Sequence, residues 1–104
     1  MRYVQSITSN LSFEWDPKKA ASHVRKHGVS CEEARTVFED DEALLLSDPD
    51  HSTGEERAVL LGLSAALRAL VVVHWERQDG DVIRLISARK ADPHERLLYA
   101  ARRA

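Results

Sequence analysis

Apolar and polar positions alternate in short runs, and Gly, Pro and Asp punctuate them. The run SFEWD alternates apolar with polar and predicts a strand over 12–15. Asp16-Pro17 then opens a helix, with Asp as N-cap and Pro at the first helical position, where its missing N–H costs little. That helix runs to about His27 and stops at Gly28. Ala20, Ala21 and Val24 make its thin apolar stripe, while Lys19, His23 and Lys26 share another face. Ser30 and Glu33 fit a capping box opening a second short helix, with Ala34, Val37 and Phe38 inward. Cys31, one turn before Ala34, reads as a buried small hydrophobe rather than a nucleophile. Strands follow at ALLLS (43–47), RAVLLGLS (57–64), RALVVVHWER (68–77) and VIRLISA (82–88). Asp92-Pro93 repeats the helix start, and His94, Leu97, Leu98 and Ala101 form the expected packed face of a C-terminal helix. Within 1–10, YVQSIT reads either as an edge strand or as a frayed arm.

This order predicts an α+β domain: a small, mostly antiparallel sheet of four to five strands, two N-terminal helices and one C-terminal helix on one face. A single domain over 12–104 follows an extension, 1–11. A two-residue turn at Asp79-Gly80 places Trp75 opposite Arg84 and His74 opposite Leu85. Closing the preceding hairpin around Ala65-Ala66 places Arg57 opposite His74. On that register Arg57, His74, Ser87 and Arg89 share one face, and Val73, Trp75, Arg84 and Ile86 share the other. A slip of one residue exchanges the faces.

At 104 residues with 43% hydrophobic content, one core suffices without a staple. No apolar run reaches bilayer-spanning length, MRYVQSITSNLSF lacks a signal-peptide core, and one cysteine forms no internal disulfide. Together these predict a cytoplasmic protein. The net charge of −2 hides a segregation: residues 36–56 hold eight acidic groups and no Lys or Arg, which leaves fifteen basic against nine acidic groups elsewhere. A basic, anion-binding face is therefore compatible with the overall charge. Arg57 and Arg89 can clamp a phosphate while His74 moves a proton near neutral pH. Alternatively the two arginines pair with Glu55, Glu76 or the acidic loop. His23 and His27 have i, i+4 spacing, but HVRKH lacks a ligand carboxylate and its Arg and Lys repel a cation, so no metal is expected. DPDHST begins like a calcium loop, but Thr53 and Val59 stand where Gly and Glu are needed. Trp15 and Trp75 either stack on a base or cap the core.

The segments FEWDPKKAASHVRKHGVSCEEARTVFEDDEAL, DPDHSTGEERAVLLGLS, RALVVVHWER and VIRLISARKADPHERLLYAAR resemble the BrnT toxins from about Phe13 to Arg102. The resemblance implies a type II toxin–antitoxin component with a fold like the RelE ribonucleases, which degrades RNA and inhibits translation. The implied partner is a BrnA-like antitoxin with a ribbon–helix–helix DNA-binding domain, and a dimer within that complex is possible. By motif, Lys26 and His27 lie in K-H-G, Arg57 in G-E-E-R, and Arg89 and Lys90 in I-S-A-R-K. The expected chemistry needs no cofactor. Arg57, His74, Arg89 and His27 are the catalytic candidates; Lys26, Arg84, Lys90 and Trp15 are the RNA-binding candidates. The rival function is a non-catalytic module that binds a DNA-binding antitoxin and modulates operon repression.

Overall fold

The computed structural model describes residues 4–8, 11–46, 57–76 and 82–103. In chain order these form β1 (Val4–Thr8), β2 (Leu11–Trp15), α1 (Pro17–His27), α2 (Cys31–Thr36), a 3₁₀ turn (Val37–Glu39), β3 (Leu44–Leu46), β4 (Arg57–Leu63), β5 (Ala69–Glu76), β6 (Val82–Lys90) and α3 (Pro93–Arg103). The acidic loop at 47–56 and the Asp79-Gly80 turn lie outside the described residues. Each helix start follows its expected cap. Asp16 accepts the Lys18 N–H at 2.9 Å and Ser30 Oγ accepts the Glu33 N–H at 3.0 Å. Asp92 and Glu95 cap α3 reciprocally, each carboxylate accepting the other's backbone N–H. Gly28, at φ 70°, ends α1 in the left-handed conformation that glycine adopts without strain.

The described strands order as β1-β2-β6-β5-β4-β3. Strand β2 runs parallel to β6, through Ser12↔Val82, Phe13↔Ile83 and Glu14↔Arg84. The sheet is thus mixed, not the mostly antiparallel meander expected. Hairpin signals report neighbours in sequence, whereas this pairing joins opposite ends of the chain. Strand β1 pairs antiparallel with the whole of β2, which selects the edge-strand reading for 4–8.

Helices flank both faces, a second correction. Leu70 and Val72 of β5 turn toward α1 and α2, into a core with Phe13, Val29, Ala34, Val37, Ile83, Leu85 and Ala88. Val71 and Ala69 turn the other way, toward Leu61, Ala91 and Tyr99 of α3. The packed face expected on α3 is also reversed. Tyr99 is the buried residue, while Leu97 is 70% and Leu98 40% exposed; His94 and Ala101 are exposed as well.

The β4–β5 turn is one residue longer than expected. Ser64 and Arg68 close it through the Ser64 N–H to the Arg68 carbonyl, 2.9 Å, and Leu67 sits at φ 61°. A three-residue hairpin loop ending in a left-handed residue is a common solution, but glycine is its usual signal and leucine conceals it. The turn is bolted to α2. Glu33 accepts from Ser64 Oγ at 2.6 Å and from Arg68 Nε at 2.9 Å, with Arg68 Nη2 on its other oxygen. Thr36 Oγ1 accepts the Ala65 N–H at 2.8 Å. Behind the turn, Asp40 accepts the Leu63 N–H at 2.8 Å and the Tyr99 hydroxyl at 2.6 Å, tying β4 to α3. Close approach here requires Gly62, where a Cβ would stand 2.8 Å from Val37 Cγ1 and 2.9 Å from Ala43 Cβ.

Leu67 is 78% exposed, so its side chain contributes little packing. A left-handed L-residue costs roughly 1–2 kcal/mol, and glycine's extra freedom in the unfolded chain offsets about half of that. Leu67→Gly is expected to stabilise by about 0.5–1 kcal/mol. The check is a higher chemical-denaturation midpoint with an unchanged slope.

Candidate functional site

The two-residue-per-repeat geometry of a strand makes the longer turn decisive. Arg57 now pairs with Trp75, and Ala58 with His74. On the next strand the expected partners hold: Trp75↔Arg84 and His74↔Leu85. Arg57, Trp75 and Arg84 therefore stand in a row across three strands. The Arg57 guanidinium carbon lies 5.8 Å and that of Arg84 5.6 Å from the Trp75 ring centre, both within cation–π range. Arg84 also donates from Nε to Glu14, at 3.2 Å. This row presents cations and an aromatic ring together, the combination that grips a nucleic-acid strand.

The expected Arg57–His74–Arg89 cluster does not assemble. His74 is 1% exposed on the opposite face, with its ring edge-on to Phe38 at 4.8 Å. Arg89 pairs across the sheet with Val71, four residues along β4 and β5 from the Arg57–Trp75 pair. It forms a bidentate ion pair with Glu95, at 2.7 and 2.9 Å. Lys90 is exposed beyond it. Trp15 is 3% exposed and belongs to the core, so its base-stacking option is removed by burial.

A different set of groups converges. A cleft of about 470 Å³, counting its open mouth, is lined by Trp15, Asp16, Lys19, Ala20, His23, Cys31, Trp75, Arg84, Leu85 and Ile86. The cleft exists because α1 rests lightly on the sheet: none of its residues is fully buried. Ala20 packs against the core from the cleft side, and His23 is half-buried. Burial, then the nearby charges of His27, Lys19 and Lys26, push the His23 imidazole below its ordinary pKa. Its neutral, proton-accepting form is thereby favoured near pH 7. The His27 ring centre is 6.2 Å away, and Lys26 is exposed beside it. Cys31, at the cleft wall, is pushed up to about 12 by burial and the neighbouring Glu32, which keeps it a thiol. Among the described residues, no group of three or more His, Cys, Asp or Glu side chains is arranged to hold a metal ion.

A family model described as the ribonuclease toxin BrnT of a type II toxin–antitoxin system matches residues 15–95. The chain belongs to the BrnT family. The match covers α1, all of β3 to β6 and the first turn of α3. A search of curated proteins returns no match. BrnT membership makes the chain a ribonuclease toxin of a type II system, and such a system implies an antitoxin partner. No helix among the described residues is long and apolar enough to cross a membrane.

In this BrnT chain, sequence reasoning missed His23. The signal in the sequence is its helical spacing, which puts Lys19, His23 and Lys26 on one face of α1. Glu95 was missed as the partner of Arg89. Arg89 hydrogen-bonds Glu95 and holds its carboxyl below the usual range, against an opposing effect of burial. A lowered carboxyl contributes stability above its unfolded pKa and loses it as pH falls through the folded value. Glu95→Gln is expected to cost about 0.5–1 kcal/mol at pH 7, because the pair is partly exposed. The difference from the unaltered chain should shrink below about pH 4, as thermal unfolding across a pH series would reveal.

Proposed function

We propose that the cleft between α1 and β6 is the RNA-cleaving site, and that His23 is its proton acceptor. The observation that carries this reading is a half-buried imidazole, lowered by burial and by Lys19, Lys26 and His27, in a cleft of a ribonuclease-toxin chain. His23 takes the proton of a ribose 2′-hydroxyl, and the 2′-oxygen attacks the adjacent phosphorus. The bond to the 5′-oxygen breaks, and that oxygen receives a proton, with His27 as donor. The products are a 2′,3′-cyclic phosphate and a 5′-hydroxyl. Lys19 and Arg84 stabilise the charge growing on the phosphorane oxygens, and Arg57 with Trp75 holds the flanking strand. Surrounding cations disfavour a bound metal, so the reaction is metal-independent. Arg89 and Lys90 lie outside this centre and act on the fold or on longer RNA.

In this reading the chain is a RelE-like cytoplasmic endoribonuclease that lowers translation by cutting RNA. Its neutraliser is a BrnA-like, ribbon–helix–helix antitoxin, and a dimer forms within that complex. The rival is a non-catalytic module that only tunes an antitoxin's hold on DNA.

Incubating the purified chain with a defined RNA separates these. Expected results are cleavage insensitive to chelators, cyclic-phosphate ends, and no cutting of the all-deoxy strand. His23→Ala should lower kcat/KM by roughly 100-fold or more. A lowered folded pKa keeps the base active into mildly acidic solution, so the acid limb of the unaltered chain should fall below pH ~6.5. Full activity in His23→Ala overturns the assignment, and absence of any cleavage favours the rival.

A further inference from the structure

The row of Arg57, Trp75 and Arg84 is wider than one phosphate. Arg57 is rooted on β4 and Arg84 on β6, with β5 between them. Their backbones therefore stand roughly 10 Å apart, two strand spacings. The Trp75 indole fills the interval, 5.8 Å from one guanidinium carbon and 5.6 Å from the other, measured to the ring centre. Its Nε1 is enclosed and takes no hydrogen bond among the described residues. Two cations thus already lie against the ring that a base would have to stack on. A guanidinium held by a ring keeps its planar N–H fork for a phosphate. With an indole between them, the two forks suit two phosphates rather than one.

The cleft tells the two cations apart. Arg84 lines it together with Lys19 and His23, Trp75 forms part of its wall, and Arg57 stands outside it. Beyond Arg84 the row ends in an acid. Glu14, 4% exposed, accepts from Arg84 Nε at 3.2 Å. A phosphate placed there would face a carboxylate. The cationic path out of the cleft therefore runs the other way, across β5 and β4 to the exposed Arg57.

We propose that Arg57 is a second phosphate subsite, which takes the phosphate next to the one being cleaved, with Trp75 as the spacer between them. This rests on the reading of the α1–β6 cleft as the RNA-cleaving site. It narrows the substrate to a strand carrying at least two successive phosphates on that path. The subsite reads backbone charge and not the identity of a base.

The test uses a short DNA strand carrying a single ribonucleotide, so that one bond can be cut and every other phosphate has a fixed place. Each flanking phosphate is replaced in turn by an uncharged methylphosphonate. At one position next to the cut this should raise KM by roughly 10-fold and leave kcat nearly unchanged. In Arg57→Ala, or in Arg57→Gln where alanine impairs folding, the same replacement should cost less than about 2-fold. An abasic nucleotide at that position should also cost less than about 2-fold, whereas a base stacked on Trp75 would make its loss cost about 5-fold or more. The proposal is overturned by a KM indifferent to every neighbouring phosphate, by an equal phosphate penalty in the Arg57 variants, or by a base penalty as large as the phosphate one. Equilibrium binding of the all-deoxy strand gives a readout that needs no cutting. Arg57→Ala should flatten the slope of log affinity against log salt by about 0.7, and an unchanged slope overturns the subsite. If the unaltered chain cuts nothing, the cleft reading fails while this binding result still decides the subsite.

Discussion

The carboxylate of Glu33 pins the β4–β5 turn to α2. It holds Ser64 and Arg68, the two ends of the β4–β5 turn, against the first turn of α2. That anchoring makes the loop three residues long and fixes the pairing of β4 with β5. Hydrogen bonding and charge from Arg68 keep Glu33 ionised by lowering its pKa, despite an opposing effect of burial. A loop one residue shorter would turn Arg57 to the core and leave a guanidinium without water. With the observed loop, Arg57 meets Trp75 and Arg84, and His74 enters the core beside Phe38.

Much of the fold could be read from the chain because its signals are local. The Asp-Pro and Ser-x-x-Glu caps, Gly28, the strands flanking residues 65–67 and 77–81, and the Trp75–Arg84 pairing depend on neighbours a few residues away. The errors share one cause, which is dependence on distant partners. Leu67 at a left-handed position carries no compositional mark, so the turn was read one residue short. The parallel contact of β2 with β6 has no signature in either strand. Which side of α3 is buried was decided by Tyr99 meeting Asp40, a contact between residues 59 apart. Periodicity located an apolar stripe on α3 but assigned it to the packed side, whereas Leu97 and Leu98 are exposed.

The site was legible in kind but not in membership. Segregated charge anticipated a cationic surface, and Arg57 and Arg84 flank the Trp75 ring on one face of the sheet. Arg89 was drawn into the same picture by its motif, although it is neutralised by an acid six residues later. Burial, which sequence shows poorly, distinguishes His74 from His23. His74 is enclosed among aromatic and aliphatic groups, whereas His23 is half-covered and surrounded by positive charge. A loosely seated α1 makes this difference: a helix with a full apolar face would have closed the cleft.

The parallel pairing of β2 with β6 also sets an order of events during synthesis. Glu14 and Arg84, which face one another across it, are 70 residues apart. A nascent chain emerges N-terminus first, so β1, β2 and α1 wait for their neighbour until nearly all of the chain has left the ribosome. Closing so long a loop slows assembly as well. The floor of the α1–β6 cleft is thus among the last surfaces to be completed. A half-made polypeptide carries the basic helix without the opposing wall, and a truncated translation product has no intact cleft with which to act.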